Sequence, residues 1–383
     1  VVLWAMLKRR DDDGGLSSSA PPEVTTTTTT TKVLLFVGGL QRSGTTSAAS
    51  AIAAHLGASL QEVSHVEEAN RTAFLERMRR WRGQSKSYFR DALSSGGLEG
   101  KFAQNVYEYR YALRDWEAYG GVAGLAVDPS RASARKAEEL WSQWRPLWNL
   151  TSDVLVEKTP ENVLMAPYLQ AMFDGRRLPS MTTTTTAFAF VLRHPLPWSL
   201  SIEKWLTNKW NKDKTKRLQA SLENRFDMWL AVMSRLLGED AKTLRRVAAF
   251  HAEVADDDDR VIPAMLARLL QMRRTTTASG NAFRGYNRAN LAYVACWLDG
   301  GTLLKGQCKS SNFRGNRTTR AAELQRLRDR FQGRILDFGY TIPNVSALCD
   351  DGNEGCHPLP NNGSSFLRLG AIRGEYRCYF VIE

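Results

Sequence analysis

Short apolar runs alternate with longer mixed segments along this chain. Val33–Val37 is the first such run, Val154–Val156 and Ala187–Leu192 repeat it, and Val247–Val254 is a fourth candidate. Apolar strands separated by helix-compatible segments indicate a parallel sheet covered by helices on both faces. We therefore predict an α/β fold, a three-layer α/β/α sandwich with a mainly parallel sheet of about five strands.

The two ends of the chain differ in composition from its middle. Residues 11–31 are Asp, Gly, Ser and Pro followed by threonines, a composition that builds no core. We predict a disordered tail or stem over residues 1–31, a single domain over 32–345 and a cysteine-containing extension over 346–383. The second threonine run, Thr182–Thr186, is interpreted as a surface insertion.

A glycine-rich turn follows the first predicted strand and precedes a predicted helix that stops at Gly57. Its sequence is Gly38-Gly39-Leu40-Gln41-Arg42-Ser43-Gly44-Thr45-Thr46. The spacing Gly39-x4-Gly44 is that of a nucleotide P-loop, whose backbone N–H groups bind phosphate oxygens at a helix N-terminus. Thr45 stands where such a loop carries its lysine, which disfavours an ATP or GTP hydrolase, while Arg42 adds a cation to the loop. The turn therefore predicts an anion site for a different phosphate-bearing ligand.

Three segments together resemble the sulfotransferases that use 3′-phosphoadenosine 5′-phosphosulfate (PAPS). Gln41–Thr46 is similar to their phosphosulfate-binding loop. Phe190–Pro195, with Arg193 at its strand end and Ser201 eight residues on, is similar to their 3′-phosphate site. The segment Val156–Asn162 resembles a stretch of Golgi-type carbohydrate sulfotransferases. Arg193 and Ser201 are expected to converge on one phosphate.

The resemblance implies a P-loop NTPase-like fold, PAPS as sulfuryl donor and a set of site residues. The expected PAPS-binding residues are Gln41, Arg42, Ser43, Gly44, Thr45, Thr46, Arg193 and Ser201. Lys158 would stand near the bridging oxygen or the acceptor and stabilise negative charge. No metal is required by this arrangement.

A glutamate just beyond the helix that follows the loop is the implied general base. We favour Glu67 or Glu68 here, with Glu62 as the alternative, because Glu62 and Glu67 bracket the expected spacing from Arg42. His65 lies in the same stretch and is a candidate for orienting an acceptor hydroxyl.

The charge balance points to anionic partners. The chain has 52 Lys+Arg and 40 Asp+Glu, so its net charge is 52 − 40 = +12. A nucleic-acid partner would explain the charge but none of the motifs, so we predict none. The five cysteines lack zinc-site spacing, and Cys349 and Cys356 are spaced to close a short disulfide loop.

Several features favour a secretory compartment. Asn-x-Ser/Thr sequons begin at Asn70, Asn149, Asn316, Asn344 and Asn362, and cysteines lie near the C-terminus. The resemblance makes this compartment the Golgi lumen, with the cytoplasm as the alternative. The apolar stretch over residues 1–7, before Lys8, leads us to expect a signal or membrane-anchor segment N-terminal to residue 1.

The predicted function is transfer of the sulfuryl group of PAPS to a hydroxyl or amine, with a carbohydrate as the favoured acceptor. Three alternatives stay open. They are a tyrosyl-protein sulfotransferase, a P-loop kinase, and a non-catalytic protein that binds PAPS or another nucleotide.

Overall fold

The computed structural model describes a large part of the chain. The described residues are 31–82, 98–110, 115–116, 118–179, 183–209, 221–257, 260–271, 294, 297, 301–304, 307–310, 317–342 and 379–382. The predicted tail, except Thr31, and the predicted Cys349–Cys356 disulfide lie outside these ranges.

The described strands form a central sheet and a separate hairpin. The strands are β1 (Thr31–Gly39), β2 (Ser59–Leu60), β3 (Val154–Lys158), β4 (Thr183–Leu192), β5 (Val247–His251), β6 (Gly301–Leu304), β7 (Gln307–Ser310) and β8 (Tyr379–Ile382). The sheet has the order β2-β3-β1-β4-β5-β8, in which β1 to β5 are parallel and β8 pairs antiparallel with β5. The hairpin consists of β6 and β7. The prediction of a mainly parallel sheet is confirmed.

Helices cover both faces of this sheet. The described helices are α1 (Thr45–Leu56), α2 (Glu68–Arg82), α3 (Val122–Leu125), α4 (Ala134–Trp144), α5 (Asn162–Phe173), α6 (Pro195–Lys209), α7 (Leu222–Gly238), α8 (Ala252–Asp257), α9 (Val261–Leu269) and α10 (Arg317–Leu336). Along β1, Leu35 and Val37 pack in the cluster that contains residues of α1 and α9. Leu34 and Phe36 face the larger cluster with α4, α5 and α7. The α/β/α layering is therefore confirmed, since alternate residues of a central strand are buried on opposite faces.

The interpretation of the second threonine run as a surface insertion is wrong for Thr183–Thr186, which form the first residues of β4. Thr184 and Thr186 are fully buried. The Thr184 hydroxyl donates to the Arg176 carbonyl at 2.9 Å, so burial does not leave it without a bond. Threonine is β-branched and fits a strand as well as valine does, which is why a polar run continues an apolar one.

The strand order brings three chain segments to one edge of the sheet. β1 lies between β3 and β4, and all three run in the same direction. The residues that follow them are the glycine-rich turn after β1, Lys158 and its successors at the end of β3, and Arg193 after β4. Ligands of open α/β sheets bind at the carboxyl ends of the strands, where the strand order reverses. The fold therefore gathers the predicted motifs at one location.

None of the helices in the described ranges combines the length and the apolar character needed to cross a membrane.

Candidate functional site

The turn after β1 has backbone geometry that restricts its side chains. Gly39 has a φ of 155° and Gly44 a φ of 96°. A Cβ on Gly39 would lie 2.7 Å from the Val191 carbonyl oxygen, so this position has no room for a side chain. Gly44 is the N-cap of α1, and the first N–H groups of a helix lack partners within that helix. These N–H groups and the positive end of the helix favour an anion at the turn.

Side chains from α6 and from the end of β4 hold the turn in place. The Trp198 indole donates to the Gln41 carbonyl at 2.8 Å, and the Arg193 guanidinium donates to the Arg42 carbonyl at 2.6 Å. Arg42 has a φ of 72°, a conformation that is uncommon outside glycine. The bond from Arg193 to its carbonyl therefore stabilises a turn that the local sequence alone does not favour.

Arg193 and Ser201 lie together, as the sequence predicts. The guanidinium donates to the Ser201 hydroxyl oxygen at 3.0 Å, and both residues are buried. The Ser201 hydroxyl donates to the Trp198 carbonyl, and the Trp229 indole donates to the Arg193 carbonyl. The packing of α6 and α7 therefore fixes the arginine beside the glycine-rich turn.

A second buried group lies next to Arg193. The Glu253 carboxylate accepts from the His194 backbone N–H at 2.9 Å and from the Tyr340 hydroxyl at 3.2 Å. Burial raises the pKa of Glu253, whereas these bonds and the Arg193 charge lower it. Burial lowers the pKa of His194 to about 4, so this imidazole is neutral near pH 7. Burial therefore disfavours the charged form of both groups beside Arg193.

Buried polar atoms of the turn fit a phosphate-bearing ligand. Within the described residues, the Ser43 hydroxyl and the Gln41 side-chain carbonyl oxygen are buried without a hydrogen-bond partner. A buried hydroxyl without a partner is costly. The hydroxyl of Ser43 can donate to an anion, which relieves that cost, and Thr45 and Thr46 begin the helix behind it.

Lys158 ends β3 directly beside the turn. It lies opposite Val37 in the register with β1, and the Gly39 N–H donates to the Pro160 carbonyl at 3.0 Å. The Lys158 side chain is almost fully buried, and its ammonium lies 3.3 Å from a Glu99 carboxylate oxygen. Lys158 is therefore a buried cation next to the predicted phosphate position.

A series of ion pairs leads from Lys158 back to the turn. Glu99 also contacts the Lys101 ammonium at 2.8 Å, and Lys101 pairs with Glu161 in turn. The Gln41 side-chain amide donates to Glu161. Lys101 and Glu161 are both buried, with exposed side-chain fractions of 1% and 2%.

In this series of ion pairs, burial and ion pairing shift the pKa of each group in opposite directions. Burial alone would raise the pKa of Glu99, but Lys101 and Lys158 outweigh it and lower this pKa to about 2. Burial would lower the pKa of Lys101, but Glu161 and Glu99 raise it. Burial raises the pKa of Glu161, although Lys101 opposes the rise. Glu99 and Lys101 therefore stay charged over the whole physiological range.

Glu157 connects the 98–103 segment to the end of β3. Its carboxylate accepts from the Gly100 N–H at 2.9 Å, from the Thr159 hydroxyl and from the Asn162 amide. Burial raises the pKa of Glu157 to about 7, while these bonds and the Lys158 charge limit the rise. The group therefore titrates near neutral pH inside the site.

This titration predicts a pH-dependent stability. The folded-state pKa of Glu157 lies above its ordinary value of 4.5, so between these values the folded chain keeps a proton that the unfolded chain releases. The free energy of unfolding should then fall as pH rises, by up to about 1.4 kcal/mol per pH unit from this group. Urea denaturation of wild type and Glu157→Gln from about pH 5 to pH 8 tests this.

The stability difference, wild type minus variant, should shrink up to pH about 7 and then become constant. Glu108→Gln removes an exposed carboxylate and should show no such trend. A difference that is independent of pH for Glu157→Gln would contradict the prediction.

The candidate bases occupy different positions relative to Lys158. Glu62 comes two residues after β2, and the bond from the Gln61 N–H to the Val156 carbonyl continues the β2–β3 ladder toward Lys158. Glu67 and Glu68 lie farther along the chain, beyond a 3-10 turn over Val63–His65.

Glu62, Glu67 and Glu68 are all exposed. The Glu62 carboxylate accepts from the Ser64 hydroxyl, and that of Glu67 accepts from the Asn70 amide. The His65 ring contacts the Leu147 carbonyl at 2.8 Å through Nδ1, so a backbone group holds this imidazole. Of these residues, Glu62 is the nearest along the chain to the end of β2, the strand that pairs with β3.

Comparison with known proteins finds similar structures but no similar sequence or family. No protein-family model and no curated protein sequence matches the chain. The sulfotransferase STF1 from Mycobacterium tuberculosis matches with a TM-score of 0.43 and 15% identity, over 77% of each chain. The sulfotransferase STF9 from Mycobacterium avium matches with a TM-score of 0.37 and 12% identity, over 69% of this chain and 68% of that one.

A third similar structure is the sulfotransferase domain of an olefin synthase from Synechococcus PCC 7002. It has a TM-score of 0.30 and 12% identity, over 66% of this chain and 76% of that domain. All three of these structures are sulfotransferases.

The structure adds residues that the sequence motifs do not single out. Glu99 and Lys101 form ion pairs at the end of β3, although they lie more than fifty residues before β3 in the chain. Glu161 lies within the segment similar to sulfotransferases, but its spacing alone indicates no role. The Glu99-Gly100-Lys101 sequence carries no spacing signal, so only the tertiary contact reveals it.

Within the described ranges, no cluster of three or more His, Cys, Asp or Glu side chains is placed to hold a metal ion.

Proposed function

We propose that this protein is a sulfotransferase that moves the sulfuryl group of PAPS to a hydroxyl or amine acceptor. The observation that carries this proposal is the contact between Arg193 and Ser201 beside the glycine-rich turn. It supports two anion positions next to each other, one at the turn and one at the arginine. A nucleotide with phosphates on both its 5′ and 3′ positions suits such a pair, whereas ATP has no group for the second position.

In this function, each residue of the turn and of the strand ends has a separate task. PAPS supplies an activated sulfuryl group whose S–O bond to the 5′-phosphate breaks as the acceptor oxygen or nitrogen bonds to sulfur. The turn N–H groups, Ser43 and Arg42 bind the 5′-phosphate oxygens. Lys158 donates to the oxygen on which negative charge grows. Arg193 and Ser201 bind the 3′-phosphate and thereby orient the nucleotide.

A carboxylate is needed to take the proton that the acceptor loses. Glu62 lies two residues after β2, the strand that pairs with β3, which supports this residue over Glu67 and Glu68. This differs from the preference drawn from spacing alone. Glu62 is exposed, so an acceptor can approach it from solvent.

The acceptor and the compartment are proposed from fewer observations than the sulfuryl transfer itself. The Val156–Asn162 segment supports a carbohydrate acceptor through its similarity to Golgi-type carbohydrate sulfotransferases, with protein tyrosine as the alternative. We propose the Golgi lumen as the compartment. The exposed side chains of Asn70 and Asn149 are compatible with glycosylation there.

Calorimetry of nucleotide binding tests the proposed function. We expect adenosine 3′,5′-bisphosphate to bind without magnesium, and ATP and ADP to bind much more weakly, because they lack the 3′-phosphate. A preference for ATP, or no binding of the bisphosphate, would overturn the proposal. Release of the bisphosphate from PAPS in the presence of sugar or tyrosyl acceptors then separates an enzyme from a non-catalytic binding protein.

A further inference from the structure

Glu99 lies between two lysines that differ in their surroundings. Its carboxylate contacts Lys101 at 2.8 Å and Lys158 at 3.3 Å, through different oxygens. The Glu99 side chain is 24% exposed, whereas both lysines are almost completely buried. The Glu99 side chain is therefore partly accessible to solvent, in contrast to the two lysines.

The two lysines also differ in how many carboxylates neutralise them. Lys101 has a second buried partner in Glu161, and it also lies over the rings of Phe102 and Tyr109. Among the described residues, Glu99 is the carboxylate that forms an ion pair with Lys158. The contact with Lys158 is also the longer one. The Glu99–Lys158 ion pair is therefore the weaker of the two pairs that Glu99 forms.

Lys158 also lies next to the turn where an anion is expected. It ends β3 opposite Val37, and Gly38 and Gly39 follow Val37 directly. A phosphate bound to the turn would therefore place a second negative group near the Lys158 ammonium. Glu99 and that phosphate are both negatively charged, so they repel each other and compete for the Lys158 ammonium.

We propose that Glu99 is an internal competitor for Lys158, which a bound 5′-phosphate displaces while Glu99 keeps its contact with Lys101. The proposal rests on the proposed function, because it requires a phosphate-bearing ligand at the turn. Glu99 can give up Lys158 because its side chain is partly exposed, so water can take the place of the lysine. Lys101 cannot leave Glu99 in the same way, because moving its ammonium would also leave Glu161 without a counter-charge. The carboxylate thus sets how tightly the site holds the donor and its product.

Neutralising Glu99 should therefore tighten phosphate binding. For Glu99→Gln we expect adenosine 3′,5′-bisphosphate to bind about fivefold more tightly than to wild type, because Lys158 is no longer shared with a carboxylate. A purely structural role for Glu99 predicts the opposite, since loss of a buried contact loosens the site. Isothermal titration calorimetry of the full chain with the bisphosphate measures this change.

Two controls separate competition for Lys158 from a general effect of charge. Glu108→Gln also removes one carboxylate from the segment after residue 98, but this glutamate is exposed and pairs with Arg110. Its affinity for the bisphosphate should equal that of wild type. In a Lys158→Gln background, Glu99→Gln should no longer tighten binding, because the shared cation is absent. Equal tightening with and without Lys158 would overturn the proposal, as would unchanged or weaker binding to Glu99→Gln.

A structure of the wild-type chain with the bisphosphate bound tests the proposal without any substitution, should Glu99→Gln fold poorly. We expect Lys158 Nζ to contact the 5′-phosphate and to have left Glu99, with the Glu99–Lys101 pair intact. Retention of the Glu99–Lys158 contact would overturn the proposal. If wild type does not bind the bisphosphate, the proposed function fails as well. If wild type binds it and Glu99→Gln gains no affinity, only the competition fails.

Discussion

Replacing Arg193 with alanine is expected to weaken the binding of adenosine 3′,5′-bisphosphate by about 2 to 4 kcal/mol, the scale of a buried charge-assisted contact. Two effects combine in this loss. The 3′-phosphate loses its cation, and the Arg42 carbonyl loses the bond that holds the turn. Calorimetry with the bisphosphate and with adenosine 5′-monophosphate tests this, because only the first ligand carries the 3′-phosphate.

Matched substitutions distinguish a phosphate contact from a loss of folding. Arg245→Ala removes an arginine near the start of β5, at the opposite edge of the sheet, where it pairs with Asp174. This variant should bind the bisphosphate as wild type does. Ser201→Ala removes a neutral partner of Arg193 and should cost less affinity than Arg193→Ala. An unchanged dissociation constant for Arg193→Ala would remove this residue from the site.

Replacing Lys101 with methionine is expected to destabilise the fold by about 3 to 5 kcal/mol. Methionine leaves the Glu161 carboxylate buried without its ammonium partner and removes one of the two partners of Glu99. Methionine keeps most of the volume of the lysine stem, so the loss reports charge pairing more than packing. Urea denaturation at pH 7 measures the change in the free energy of unfolding.

The double variant Lys101→Met with Glu161→Gln should recover much of this loss, because it removes the uncompensated carboxylate. Lys136→Met serves as the matched control, since Lys136 is only partly buried on α4 and donates to the Arg131 carbonyl. It should change the stability by less than about 0.5 kcal/mol. A small effect of Lys101→Met, similar to that of Lys136→Met, would show that the buried pairs contribute little.

The local motifs of the site can be read from the amino-acid sequence alone. The glycine-rich turn depends on residues that are adjacent in the chain, and Gly39 and Gly44 have the positive φ angles that glycine permits. The spacing of Arg193 and Ser201 likewise lies within one strand end and the helix that follows it. Such short-range patterns are set by backbone sterics and helix geometry, which the sequence displays directly.

The choice among the glutamates cannot be read in this way. Spacing from Arg42 favours Glu67 or Glu68, whereas the pairing of β2 with β3 favours Glu62, which follows β2 by two residues. A 3-10 turn over Val63–His65 separates the other two from the strand end. Counting residues along a chain does not reveal such a turn, because its direction depends on the elements that it packs against.

By itself, the sequence determined the α/β class, the glycine-rich turn after β1 and the pairing of Arg193 with Ser201, because periodicity and short spacings specify these features. Only the tertiary structure decided that Thr183–Thr186 belong to a buried strand, since this run pairs with β1 and the Arg176 carbonyl accepts from the Thr184 hydroxyl. Tertiary packing alone places Glu99, which pairs with Lys101, beside Lys158, more than fifty residues later in the chain. Those contacts depend on how distant segments pack. The pKa of a buried group depends strongly on the charges within a few ångströms of it, and packing decides which charges those are.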